Sequence, residues 1–298
     1  MSEPRLPPAQ LRRKALTLMR QCFLPLLVAA VLLSLPGLGA DLIRLHGENA
    51  AERVEQAVFA EFEAANPRPE DPAELEQWES DKIVYAYFSS ADINGKLAER
   101  LWSLLASGAE LLGMLLGGVL LAGVYAGLLS RLRGSCEPLR PFCCLRRWKT
   151  ALWLRLRVMA FIFGWLLLAI LPAAFLPGGP GALLLLPVAL WAELHYSLVL
   201  PCMADDPADR LNTTQYLDLG AAHIRFFTVG GLLRVLWPLM LLFLAEAALT
   251  LAAAWLPALT LPGMLFALAA DVFTMMLGCA CIACIHAEVA LHQPAPAE

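Results

Sequence analysis

Five long apolar stretches, and a shorter one near the N-terminus, constrain this chain more than any other feature. Ala160 to Pro177 shows the pattern most plainly. A Gly178-Gly-Pro-Gly181 turn follows, and then Ala182 to Met203. A helix packed in a water-soluble core is apolar along one stripe and polar on the other. These segments are apolar all round, as contact with lipid requires. The composition agrees, with 59% hydrophobic and 16% charged residues and a mean hydropathy of +0.63.

The expected fold class is all-α. It is a polytopic membrane protein with six transmembrane helices, an N-terminal amphipathic helix and a small helical extracytoplasmic loop. The spans read as Cys22–Ala40, Leu101–Ser130, Ala151–Leu176, Ala182–Met203, Gly231–Trp255 and Leu261–Ile285. Each is long enough to cross about 30 Å of hydrocarbon at about 1.5 Å per residue. The first is interrupted by Pro36 and preceded by a basic helix, features it shares with a signal peptide. Cleavage after Ala40 would place Leu38 where a small residue is preferred, so it reads as an uncleaved span.

Charge sets the direction. Arg5, Arg12, Arg13, Lys14 and Arg20 precede the first span. Arg131, Arg133, Arg140, Arg146, Arg147 and Lys149 follow the second, with Arg155 and Arg157 just beyond. Arg210, Arg225 and Arg234 follow the fourth. In a six-span chain these lie on one side, which the positive-inside rule makes cytoplasmic, together with both termini. The expected localisation is therefore a cell membrane. The chain divides into a cytoplasmic amphipathic basic helix at 1–21, a first span at 22–40 and an acidic extracytoplasmic helical loop at 41–100. The rest of the bundle follows at 101–287, with cytoplasmic loops 131–150 and 204–230, and then a tail at 288–298. Within the outer loop, Ala50–Ala65 and Ala73–Phe88 read as two helices separated by Pro67, Pro69 and Pro72. Its apolar content is too thin for a self-sufficient core. All eight cysteines fall at or near the cytoplasmic face, which suits reduced thiols.

Leu11, Ala15, Leu18, Met19 and Cys22 recur at helical spacing opposite a basic face, as in a helix lying in the membrane interface. Arg12, Arg13 and Lys14, with Arg146, Arg147 and Lys149, are the residues expected to meet lipid phosphates. The expected partners are the bilayer, in its anionic inner leaflet, and a membrane protein; no nucleic acid is expected. The plainer reading of the same charges is that they only set topology.

Several stretches resemble bacterial integral membrane proteins of domain of unknown function family 975. They are Leu11–Ala15, Gly118–Tyr125 with Arg131, Glu193–Ser197 through Pro201 to Asp205, Asp206 and Pro207, His223–Phe227, and Leu236–Pro238. The resemblance covers most of the chain apart from the outer loop. The cysteine-rich stretches before the third span and in the last one depart from it. The resemblance implies a six-helix bacterial membrane protein of unknown activity, and it carries over no catalytic residue.

Four carboxylates interrupt the spans: Glu110, Glu193, Glu246 and Asp271, with His195 near Glu193. Ionisable groups within a bilayer are costly, and counted along the spans these four fall near one depth. They form a candidate intramembrane polar site for protons, a cation or a polar ligand. The structural alternative is protonated side chains bonding helix to helix. Cys279-Ala-Cys281-Ile-Ala-Cys284-Ile-His286 has the residue types of a metal site. Its internal spacing puts Cys281 and Cys284 on one face with Cys279 turned well away from Cys284, and Cys143-Cys144 are adjacent rather than spaced, so no metal or other cofactor is assigned. Gly113 and Gly117, and Gly123 and Gly127, mark helix faces that can pack closely within the bundle. No Walker loop, His-Glu-x-x-His or Gly-x-Ser-x-Gly occurs. The expected function is a non-enzymatic membrane-organising or accessory protein with no catalytic residue. A small transporter or channel using the carboxylates is one alternative. A membrane enzyme acting on lipid head groups, with His223, Asp218 and Asp205 as its polar cluster, is another.

Overall fold

A computed structural model describes residues 6–69, 71–135, 142–174, 180–206, 208, 210–255 and 260–292. Among these the chain is all-helical: α1 Pro8–Gln21, α2 Phe23–Ala65, α3 Pro72–Phe88, α4 Ser90–Leu132, a 3-10 turn Cys143–Arg147, α5 Trp148–Ala174, α6 Pro180–Tyr196, α7 Val199–Asp205, α8 Thr213–Phe227, α9 Val229–Trp255 and α10 Thr260–His292. Among the described residues, four helical stretches are long and apolar enough to cross a membrane: Phe23–Ala65, Gly95–Leu132, Cys143–Ile170 and Phe266–His292. A fifth is added if Thr213–Phe227 and Gly230–Leu242, which meet at 89°, count as one broken span. The burial pattern is that of a lipid-contacting surface. Only 11% of the most apolar window of Cys143–Ile170 is buried, and Trp153, Phe161, Phe163, Trp165 and Leu168 stand exposed. The expected fourth span falls on α6 and α7, which are separate helices, and the side chains of 181–186 lie outside the described residues.

The expected first span and the expected loop helix are one helix. Residues 41–49 hold no proline to break it, and Arg44 steadies it by pairing with Asp41 one turn back at 3.2 Å. At about 1.5 Å per residue, the 43 residues of α2 and the 43 of α4 each reach about 64 Å, twice the hydrocarbon thickness.

The chain forms two compact units, Leu35–Met114 and Met1–Ser34 with Leu115–Glu298. The first reaches beyond the expected loop at both ends. Its core holds Val58, Phe62 and Ala86. The Phe62 ring lies 5.7 Å from Trp78 and 5.4 Å from Tyr85. Trp78 Nε1 donates to the Asn66 carbonyl at 2.9 Å, and Lys82 pairs with Glu63 at 2.5 Å.

In the other unit, the apolar face of α1 is buried through Leu11, Ala15, Leu18 and Met19, and α1 packs on α10 and α9. That face was expected to rest in the lipid interface. It is instead a core element, because α9 and α10 offer a matching apolar wall, with Leu232, Val235, Cys284 and Ile285 in the same cluster. Small residues of α4 pack within the chain: Gly117 stands against Leu33 in this unit, and Gly113 against the Pro36 ring in the Leu35–Met114 unit.

Candidate functional site

The densest buried polar cluster lies where α7, α8 and α10 meet. Glycine makes that meeting close. A Cβ at Gly220 on α8 would lie 2.6 Å from Val199 Cγ2 and 3.0 Å from Val199 Cα on α7. A capping box starts α8: Gln215 N donates to Asn212 Oδ1 at 2.9 Å, and Asn212 N donates to Gln215 Oε1 at 2.8 Å. The C-terminal end of α7 is held by Arg147. Its Nη1 donates to the carbonyls of Met203 (3.1 Å) and Asp206 (2.5 Å), and its Nη2 donates to Tyr216 Oη (3.1 Å). Those carbonyls lie at the C-terminal end of α7, where the helix runs out of donors; besides Arg147, the Met203 carbonyl accepts from the Asp206 N–H at 3.3 Å. Asp206 closes the loop to α8. Its Oδ2 accepts from Tyr216 Oη at 2.8 Å and from the backbone N–H of Arg210 (2.7 Å) and Leu211 (3.2 Å). Burial pushes the Asp206 carboxyl up, but the Tyr216 hydroxyl, the two amides and the Arg147 charge outweigh it and hold the group below its usual range.

Above this lock sit Cys202, His223 and His286, exposed by only 3%, 4% and 2%. Cys202 Sγ lies 3.5 Å from His223 Nδ1 and 3.9 Å from His286 Nδ1. The three ligand-type atoms all fall within 4.8 Å of one another, and the imidazole centroids are 5.1 Å apart. His286 Nε2–H donates to Asp205 Oδ2 at 3.2 Å, and Arg133 pairs with the other oxygen of that carboxylate. Burial raises the Asp205 carboxyl, but the His286 bond and charge together with Arg133 more than offset it, so the group stays below its usual range. An ionised carboxylate only accepts. The Nε2–H of His286 is therefore the donor to it, and Nδ1 is the ring nitrogen on the side of the thiol.

The sequence-derived candidates are distributed differently. Glu110 is paired with Arg44 at 2.7 Å in the Leu35–Met114 unit. Glu193 and Asp271 are exposed on α6 and α10. The side chain of Glu246, on α9, lies outside the described residues. His195 is half-buried and stacks on Trp191, with centroids 5.0 Å apart and planes at 22°. Of the expected lipid-surface residues, Arg13, Arg146 and Lys149 are exposed and Lys14 is half-exposed. Arg12 donates to the Arg234 carbonyl at 2.5 Å and lies 6.0 Å over the Trp237 ring. Arg147 is turned inward, as described above, because the end of α7 needs a donor.

The cysteine motif of α10 divides among neighbours. Cys279 lies against Tyr125 of α4, Cys281 and Cys284 are on the side of Arg12 and Lys14 of α1, and His286 meets Cys202 and Asp205 of α7. His223 and Asp205, taken from the sequence as parts of a polar cluster, belong to the site. Asp218 is exposed on α8, about 140° around the helix from His223 at about 100° per residue. Cys202 went unnoticed as a partner of the histidines. Its only sequence signal is the i, i+3 spacing to Asp205, which places both on one helix face.

No protein-family model, curated protein or solved structure matches the chain.

Proposed function

We infer that the chain is a six-span integral protein of a bacterial cell membrane, with both termini cytoplasmic, related to domain of unknown function family 975. It acts without catalysis, as a membrane-organising or accessory protein. The observation that carries this reading is how the polar groups around the end of α7 are used. Arg147, Asp206, Tyr216, Arg133 and Asp205 all bond helix ends and loops to one another, while the thiol and imidazoles among them are closed to a substrate. The broad exposed apolar flank of α5 supports the membrane setting. The basic residues at Arg13, Arg146 and Lys149 are exposed where an anionic leaflet would meet them.

Flux measurements separate this reading from transport. Purified protein in proteoliposomes is expected to give no proton or cation flux above empty vesicles, and Glu193→Gln and Asp271→Asn are expected to change nothing. A pH-dependent flux abolished by Glu193→Gln would overturn the reading. Orientation is tested by single cysteines at Glu76→Cys and Arg146→Cys in a cysteine-free background. An impermeant reagent on intact cells is expected to label the first and spare the second, and labelling of both would sink the six-span topology.

A further inference from the structure

We propose that Cys202, His223 and His286 form a binding site for a thiophilic divalent cation, zinc in the first place. Asp205 positions His286, and a small exogenous ligand such as water completes the coordination. The inference goes beyond the accessory reading and does not depend on it.

The donor set fits the ion. Zinc takes thiolate and imidazole ligands in tetrahedral geometry, with Zn–S about 2.3 Å and Zn–N about 2.0 Å, which puts sulfur and nitrogen about 3.5 Å apart. Cys202 Sγ and His223 Nδ1 are 3.5 Å apart, and Cys202 Sγ and His286 Nδ1 are 3.9 Å apart. The three ligand atoms lie within 4.8 Å of one another, and seating an ion draws the two nitrogens to about 3.3 Å. The tautomer also fits. His286 presents Nδ1 to the centre while Nε2–H bonds a carboxylate, the carboxylate–histidine arrangement that orients metal ligands and raises their basicity. Arg133 in turn holds Asp205.

A thiol, an imidazole and a carboxylate in this order also serve as a nucleophile, its base and the group that orients the base. Such a nucleophile needs room for a substrate carbonyl beside the sulfur, and Cys202 is 3% exposed. An ion needs no such room. It can arrive past Asp205, whose side chain is 18% exposed at the edge of the cluster. The three ligands come from three separate helices, so a bound ion would cross-link α7, α8 and α10.

The test uses the full-length chain in mild detergent, with reduced thiols and metal removed by chelation. Titration with Co²⁺ is expected to give a thiolate-to-cobalt charge-transfer band and the intense visible bands of tetrahedral coordination, saturating at one ion per chain. Zn²⁺ is expected to displace both. Cys202→Ser should lose the charge-transfer band, and His223→Gln and His286→Gln should weaken binding. Asp205→Asn should keep the spectrum but lower affinity about 10–100-fold. Cys281→Ser with Cys284→Ser should leave the titration unchanged. Three results would overturn the proposal: no charge-transfer band in the wild-type chain, a band that survives Cys202→Ser, or a band lost when Cys281 and Cys284 are replaced. The wild-type spectrum needs no variant, so a substituted chain that folds poorly leaves the test decisive.

Discussion

Arg147 shows how one side chain can set a local structure that no motif announces. Its guanidinium satisfies two carbonyls at the end of α7 and meets Tyr216, which itself donates to Asp206. Replacing it with Ala would take its donor from the Asp206 carbonyl and leave the Met203 carbonyl with the Asp206 N–H at 3.3 Å, in a half-buried place. The expected loss is about 2–3 kcal/mol of stability, read as a lower unfolding midpoint in detergent. Arg147→Lys should recover less than half, because an ammonium cannot span three acceptors with a planar fork. The same network gives a pH prediction through Asp206. A carboxyl held below its ordinary value contributes stability that is fully present above the unfolded pKa of about 3.9 and fades as pH falls through the native one. The midpoint gap between the wild-type chain and Asp206→Asn should therefore be constant near neutrality and shrink only as pH drops below about 4. A gap that shrinks between pH 8 and 5 would place the sensitivity elsewhere.

At the scale of elements, the approach of α7 to α8 depends on the missing side chain of Gly220. Because the hypothetical Cβ meets Val199 backbone as well as its side chain, rotamer changes alone cannot relieve the clash. Gly220→Ala should destabilise the chain by about 1–3 kcal/mol and push Cys202 away from His223, weakening cobalt binding. A variant with unaltered midpoint and titration would show that the contact is not tight. Much at this level was legible in the chain: the apolar runs, the proline break between Ala65 and Pro72, and the amphipathic face of α1. What escaped follows from geometry that spacing does not encode. Cys279 to His286 look clustered in one dimension, but steps of about 100° per residue aim them at different neighbours. Cys202, His223 and His286 lie up to 84 residues apart and meet where α7, α8 and α10 pack together, with Gly220 letting α8 approach α7 closely. The amphipathic pattern of α1 could not say whether protein or lipid covers it, since both offer an apolar surface.

The whole molecule divides its stability between two units, and their composition says which gives way first. The Leu35–Met114 unit has a thin core, in which Ala40, Val58, Phe62, Ala86 and Ala106 are the buried apolar residues among those described. Around Phe62 the ring contacts with Trp78 and Tyr85 tie α3 to α2. The other unit has a continuous core running from Leu11 to Val289. Truncating a buried Phe typically costs about 3–5 kcal/mol, which is most of what a core this small can supply. Phe62→Ala should therefore open α3 locally rather than unfold the chain. Hydrogen exchange should rise sharply across Pro72–Phe88 while the amides of α7 and α8 keep their protection, since local unfolding follows contact density. Cobalt binding at Cys202 should likewise be unaffected, because sites that share no partners act nearly additively. If protection fell together in α3, α7 and α8, the two units would be one cooperative body and this partition would be wrong.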